Sequence, residues 1–322
     1  MKGFDPDYAD LPDYIIKVTR EIWEDRGIAT LNRTYAHDIV VRTPMGLTRG
    51  NRAVIASTMA TCHEFPDRQL FADDVIWSGN AEDGFLSSHR LVTTGTHRRD
   101  GQFGPATNRS FRIHVIADCA VRGGVIDDEW LVRDQGGIVR QLGMDPRSFA
   151  QGLIDAEGGP AAARRVFTPD RDVAGPYAAT GNDNEWGGRY AESLDRIMDA
   201  DFRHILQDYD RGVQGFYPGA TTVYGRPAAC AFWVGLRASF PNAAFAVHHR
   251  IGMDGGMMSP RASVRWSLDG LHDGWGAFGP PTGAHVHVFG MSHAEFGPWG
   301  LRREWALFDE VAVWKQILMA AS

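Results

Sequence analysis

The feature that most constrains this chain is that it repeats itself. Sliding the sequence by 175 positions brings Arg49-Gly50 onto Tyr224-Gly225, Phe65-Pro66-Asp67 onto Phe240-Pro241-Asn242 and Arg90 onto Arg265. The same offset carries Gly95 and His97 onto Gly270 and His272, and Phe103-Gly104-Pro105 onto Phe278-Gly279-Pro280. It also carries Glu129-Trp130 onto Glu304-Trp305 and Asp134 onto Asp309. One offset that holds over about eighty residues marks a duplicated unit. The 322 residues are long enough for two domains. We place the first at 8–150 and the second at 183–322. Between them, 151–182 carries Gly158-Gly159-Pro160, three consecutive alanines, Thr168-Pro169-Asp170 and Gly175-Pro176. That is linker composition, with room for a short helix over 161–166.

Within the first half, Ile15, Val18, Ile22 and Trp23 recur at near-helical spacing and predict a helix over 11–28. A second short helix follows to 35, a strand over 39–43 and a third helix over 51–63, stopped before Pro66. Four β-rich runs come next, at 70–78, 85–96, 110–119 and 125–134, separated by turn residues such as Arg99-Asp100-Gly101 and Arg122-Gly123-Gly124. The second half reads as helices over 192–209 and 227–239, then strands over 243–252, 261–268, 284–291 and 301–309. Helices followed by a long antiparallel meander give an α+β class. We expect two tandem cone-shaped domains, each a strongly curved, mostly antiparallel sheet wrapped against about three helices. A cavity between sheet and helices is a usual ligand site.

The chain resembles the SnoaL-like polyketide cyclases of the nuclear-transport-factor-two-like superfamily. The resemblance is carried by His114, by Val125-Ile126-Asp127-Asp128-Glu129-Trp130 and by Arg140-Gln141-Leu142-Gly143. It is fuller in the first half. In the second, Arg303-Glu304-Trp305 persists, but Lys315-Gln316-Ile317-Leu318 stands where the Arg-Gln-Leu-Gly would be. The resemblance implies an intramolecular aldol cyclisation without cofactor or metal, with an acid/base just before the Trp. That residue is an Asp in the cyclases and Glu129 here, one methylene longer. The superfamily also holds isomerases, dehydratases, epoxide hydrolases and binders, so fold alone does not choose among them.

Side chains on a strand alternate between two faces, so only one of Asp128 and Glu129 can look into the pocket. The repeat keeps Glu129 as Glu304 but turns Asp128 into Arg303, so Glu129 is the expected inward carboxylate. Burial in an apolar pocket would raise its pKa into the range of a general acid or base. The candidate catalytic set is His114, Glu129, Arg90 and Asp134. In it Glu129 moves a proton while His114 and Arg90 polarise or anchor an oxygen. The competing reading is a Glu129–Arg90 ion pair, repeated as Glu304–Arg265, with no chemistry. The counterpart of His114 is read as His287 or His285, depending on an indel of two residues. Trp130, His97, Phe103, His287, Glu304, Arg265 and Trp305 are the expected ligand-binding residues, with His97 and Phe103 at the mouth.

Other classes are argued against. His285 and His287 share a face, but spacing supplies no third ligand, so no metal is expected. No phosphate-cradling or dinucleotide motif is present, and no cofactor is expected. A net charge of −7 with no run of basic residues argues against a nucleic-acid partner. No apolar run is long enough for a membrane span, and the start has no signal-peptide pattern. Three scattered cysteines fit a reducing, cytoplasmic setting. Only three lysines occur, and arginine carries the positive charge, as in a GC-rich bacterial genome. Expected partners are a small-molecule ligand and, between the halves, an intramolecular pseudo-dimer, with further self-association left open. The functional expectation is a cofactor-independent cyclase, isomerase or dehydratase on a small carbonyl compound. A hydrolase using a carboxylate-activated water and a non-catalytic binder are the alternatives.

Overall fold

The computed structural model describes residues 1, 3–255 and 257–320. Two α+β domains follow one another. In the first, helix α1 (Leu11–Trp23) and the single turn α2 (Leu31–Thr34) lead into strand β1 (Tyr35–Thr43), β2 (Gly46–Arg49) and helix α3 (Asn51–Glu64). The meander β3 (Gln69–Asn80), β4 (Gly84–Thr96), β5 (Ser110–Arg122) and β6 (Val125–Arg133) completes a six-stranded sheet of order β2-β1-β6-β5-β4-β3. Only the β1–β6 pairing is parallel. Helices α4 (Gln135–Gln141) and α5 (Pro146–Ala156) follow.

The second domain repeats the plan. Helices α6 (Glu185–Met198) and α7 (Arg203–Asp208) precede β7 (Tyr209–Tyr217), β8 (Thr221–Tyr224) and helix α8 (Arg226–Ser239). Strands β9 (Ala244–Met253), β10 (Arg261–Leu271), β11 (His285–Gly297) and β12 (Gly300–Phe308) build a sheet of order β8-β7-β12-β11-β10-β9, and helix α9 (Glu310–Ala320) ends the described chain. Local chemistry explains the shared joints. Asp10 and Asn184 cap α1 and α6 through their side chains. Gly50 and Gly225 open α3 and α8 at φ of 81° and 82°, a left-handed conformation that glycine adopts without a Cβ penalty.

Several expectations need correcting here. The expected helix over 192–209 is two helices that end before β7, a strand absent from the sequence reading. Residues 161–166 form turns, not a helix. The expected boundary at 150 falls inside α5, which packs on α9 from the end of the chain. The registers of β3–β6 and β9–β12 hold the 175 offset without an indel, since Leu91 pairs Val115 as Trp266 pairs Gly290, while β7 is one residue out of step with β1, so Tyr209 answers Tyr35. The counterpart of His114 is therefore Phe289, not His287 or His285.

The central strands β4, β5, β10 and β11, and most of β6 and β12, are buried on both faces. One looks into its own cone; the other meets the opposite sheet. Across that junction Ile116 and Val132 share an apolar cluster with Met291, Trp305 and Leu307. At the rim of the junction, Asp134 accepts from Gly137 N of its own helix at 2.9 Å and from Gly219 N and Ala220 N of the second domain at 2.8 and 2.6 Å. Arg140 forks onto Glu310, with Nη2 to Oε1 at 3.0 Å.

Inside the second cone the Trp266 ring lies against Gly290 while its Nε1 donates to Ser292 Oγ at 2.8 Å. A Cβ on Gly290 would overlap that ring. Gly290→Val, which installs the first domain's Val115, is expected to lower unfolding free energy by about 1–3 kcal/mol through overpacking. Urea denaturation would measure it, and an unchanged midpoint would contradict the close packing described.

Candidate functional site

The first cone encloses a cavity of about 430 Å³. Its wall mixes hydroxyl and charged side chains with aliphatic ones, among them Ile15, Val18 and Ile22 from α1, Leu91 from β4, Val115 from β5 and Leu131 from β6. Glu129 lines it from β6, Arg133 stands beyond Leu131 on the same face, Tyr35 comes from β1 and His89 from β4. Three carboxylates reach this wall. Glu64 is committed to Phe103 N at 2.8 Å and faces His97 Nε2 at 3.3 Å. Asp100 accepts from Ala106 N at 2.9 Å. Glu129, 6% exposed, faces the cavity with the Tyr35 hydroxyl donating to it.

Burial pushes the Glu129 carboxyl up to about 7 from its ordinary 4.5, although the Tyr35 hydrogen bond and the Arg133 charge pull the other way. Taking a carboxylate out of water penalises the charged form, and two partial partners do not restore what hydration supplied. Burial also holds His89 down at about 4, so its imidazole is neutral near pH 7. The cavity thus combines a carboxyl that can exist in either protonation state, a phenol, a neutral imidazole and a guanidinium. That set can move a proton on, and hold the oxygen of, a largely apolar molecule.

The second cone shows what the same plan becomes without a cavity at this place. Glu304 pairs with β11 and β7 as Glu129 pairs with β5 and β1, and is fully buried. Tyr209, the counterpart of Tyr35, donates to it at 2.7 Å. Tyr217, Tyr190 and Trp233 Nε1 add donors at 2.7, 3.0 and 3.0 Å. Those three stand where the first cone has Thr43, Ile15 and Thr58, all of which line its cavity. Trp266 and Phe232 likewise replace the lining residues Leu91 and Ser57. Small-to-large exchange has filled the interior, and four donors satisfy the carboxylate. Burial still raises the Glu304 pKa, against the four hydrogen bonds.

The other residues singled out from sequence lie outside the first cavity. Asp128, the alternative to Glu129, points away and pairs with Arg42. Arg90 does not pair with Glu129; its Nε donates to Asp73 at 2.7 Å, and its guanidinium lies 3.4 Å from the Trp305 ring centroid across the junction. Arg265 does not pair with Glu304; it binds Asp118 at 3.1 Å and lies 3.7 Å from the Trp130 centroid. The two contacts are reciprocal, since Arg90 and Arg265, and Trp130 and Trp305, occupy equivalent positions. His114 packs edge-on against Phe216 of the second domain, with ring centroids 5.1 Å apart. The reason is cross-strand register. Cys119 opposes Glu129, so odd-numbered residues of β5 face the cone and His114 shares the outer face with Asp118 and Trp130.

Asp134 is the N-cap and junction acceptor described above, 1% exposed. His97 is buried and holds Thr107 through Nδ1 at 3.2 Å, while Phe103 packs against Phe65 and stacks on Phe149. Neither lines the cavity; Asp100, Gly101 and Gln102 of the same loop do. His287 bonds Asp269 at 2.8 Å on the outer face of β11. Within the resemblance motif, Gln141 brackets the backbone of Arg112 from both sides, and Gln316 does the same to His287. No group of three or more potential metal ligands occurs among the described residues. Sequence reasoning missed Tyr35, His89 and Arg133. Tyr35 had a signal available one residue off the repeat, because Tyr35 and Tyr209 take equivalent registers beside Ile126 and Leu301 in the two sheets.

Residues 14–142, the bulk of the first domain, match the family model of SnoaL-like polyketide cyclases. The second domain repeats the helix and sheet order of the first. Solved structures similar to one unit of the chain include IdmH from Streptomyces antibioticus, at 24% identity over 41% of this chain and 98% of that one, with a TM-score of 0.37. TsrD from Streptomyces laurentii is similar at 18% identity over 44% and 98%, with a TM-score of 0.37. A SnoaL-like polyketide cyclase from Agrobacterium tumefaciens is similar at 20% identity over 41% and 97%, with a TM-score of 0.33. No curated protein matches the sequence.

Two outcomes follow from the contrast between the cones. Trp233→Thr, which restores the first cone's residue, is expected to cost about 3–5 kcal/mol in denaturant unfolding, the usual range for emptying a large aromatic site. Glu129 gives the opposite sign with pH. Its folded pKa lies above its unfolded one, so the folded state binds the extra proton and stability falls as pH rises from about 4.5 to about 7. Glu129→Gln is expected to be more stable than the parent by up to about 3 kcal/mol at about pH 8, with the gain gone near pH 4. Equal curves at both pH values would mean that Glu129 is not desolvated.

Proposed function

We propose that the first domain is a cofactor-independent enzyme that transfers protons on a small, largely apolar carbonyl compound, as a cyclase or isomerase does. The observation that carries this is the buried Glu129 carboxyl, held by a single tyrosine, facing a cavity of about 430 Å³ with aliphatic side chains on all three of its main walls. Glu129 in its ionised form takes a proton from the carbon next to the carbonyl and returns it to a second position. Arg133, Tyr35 and His89 are the donors within the same cavity for the enolate oxygen. A proton-transfer group works best with a pKa near the working pH, and burial brings Glu129 to about 7. The match of this domain to the SnoaL-like polyketide cyclases supports the same class.

The second domain is, in this reading, a support. Its carboxylate is saturated with donors and its cone is filled. The two domains act as a built-in pseudo-dimer in which the reciprocal Arg–Trp contacts take the place of a subunit interface. Holding the partner on the same chain gives it a high effective concentration. The three cysteines are free, which agrees with a reducing compartment such as the cytoplasm. Among the described residues, no helix is long and apolar enough to cross a membrane.

The test is deuterium exchange next to the carbonyl in a panel of bicyclic aryl ketones and 1,3-diketones, followed by NMR in D2O. The parent is expected to accelerate exchange, and Glu129→Gln to lose about 10²–10⁴-fold of that acceleration. Glu304→Gln is expected to keep it once corrected for folded fraction. Loss confined to Glu304→Gln would move the chemistry to the second cone. Ligands that bind the parent without any exchange would favour a binding protein.

A further inference from the structure

A second cavity of about 530 Å³ lies between the domains, on the outer faces of the sheets. Its walls include His114, Arg112, Phe216, Trp305, Arg261 and Arg303, and none of these serves the cone of the first domain. Three buried polar atoms on its wall have no partner: His114 Nδ1, Trp305 Nε1 and Arg261 Nε. A buried donor without an acceptor costs free energy, so such atoms concentrated at one cavity point to an absent acceptor. Trp305 is itself only 4% exposed.

The charges have a remainder. Arg90 pairs with Asp73 at 2.7 Å, Arg261 with Asp74, and Arg303 with Glu295 at 3.1 Å. Arg112 has no ion pair among the described residues, so the wall keeps one positive charge uncompensated.

The duplication shows what such a cleft holds. The equivalent cleft on the other side of the junction is occupied by the chain's own connecting segment. Phe167 sits 5.6 Å from Phe289 and 6.0 Å from His287, ring to ring. Those two residues are the counterparts of His114 and Arg112. Tyr177 lies 6.1 Å from Trp130, the counterpart of Trp305, and its hydroxyl meets His249 Nε2 at 2.7 Å. Asp172 brings a carboxylate to Arg42 Nε at 2.6 Å. One cleft is thus filled by aromatic rings and a carboxylate, while the other presents aromatic walls, unpaired donors and a spare guanidinium.

We infer that the open inter-domain cleft is a binding site for a small aromatic carboxylate, separate from the cavity of the first cone. Phe216 stacks on one face of Trp305 at 4.9 Å and Arg90 covers the other, so the ligand ring lies along the edges of that stacked pair. The carboxylate takes Arg112 and the unpartnered donors of Trp305 and Arg261. Charge-assisted contacts of this kind are the strong ones, and an acid is preferred to its neutral amide.

Isothermal titration of the full chain with 2-naphthoate and, in parallel, with neutral 2-naphthamide tests this. The acid is expected to bind one equivalent more tightly than the amide. Arg112→Gln, a change at an exposed side chain, is expected to weaken the acid by about tenfold. Thr222→Trp, which narrows the cleft from its edge, is expected to weaken both probes. Thr58→Trp, which fills the first cone instead, is expected to leave acid binding unchanged. Absence of binding at millimolar acid, equal affinity for acid and amide, or loss of acid binding in Thr58→Trp alone would each overturn the inference.

Discussion

The structure depends on the alternation of side chains along strands that are buried on both faces. In β6, Glu129, Leu131 and Arg133 look into the cone, while Trp130 and Val132 meet the other sheet and Asp128, on the same outer face, meets Arg42 and the connecting segment. The same split runs through β12, where Glu304 enters the cone and Trp305 the junction. A slip of one residue would exchange the two sets and bury the wrong groups on both sides at once. The adjacency of Glu and Trp in both repeats is therefore a joint constraint. The acid belongs to a cone and the ring belongs to the contact between cones.

The junction uses reciprocal contacts. Arg90 covers Trp305 and Arg265 covers Trp130, so each domain supplies one cation and one ring. Desolvated contacts of this type contribute about 2 kcal/mol each. The rest of the junction has diverged. Asp118 receives Arg265, whereas its counterpart His293 receives Arg90 at 3.1 Å. The connecting segment crosses only one of the two equivalent clefts, which is where the symmetry of the duplication is broken most.

The cones diverged by volume. Exchange of Thr58, Leu91, Thr43 and Ile15 for Trp233, Trp266, Tyr217 and Tyr190 turned an open interior into a packed one, and three of the four new side chains carry a donor to Glu304. A buried carboxylate with no cavity around it would be costly if left unpaired. Filling the cone and satisfying the acid are thus one change. The first cone has one tyrosine on one glutamate, and its carboxyl stays responsive to pH.

The sequence by itself determined the duplication, the α+β class, the order of the meander and the choice of Glu129 over Asp128 for the inward face. These rest on a constant offset and on period-two alternation, which are local and survive without coordinates. It left open which of the aromatic and charged residues share a space. Alternation says that His114 and Ile116 lie on one face, but the register Cys119 opposite Glu129 is needed to say that this face looks away from the cone. Arg90 and Asp134 appeared catalytic by kinship and turned out to bind Trp305 and the backbone of the second domain. Only the tertiary structure decided this, because docking one sheet on the other gave the outer faces an apolar partner. Polar residues that would otherwise meet water or a substrate were drawn into that contact.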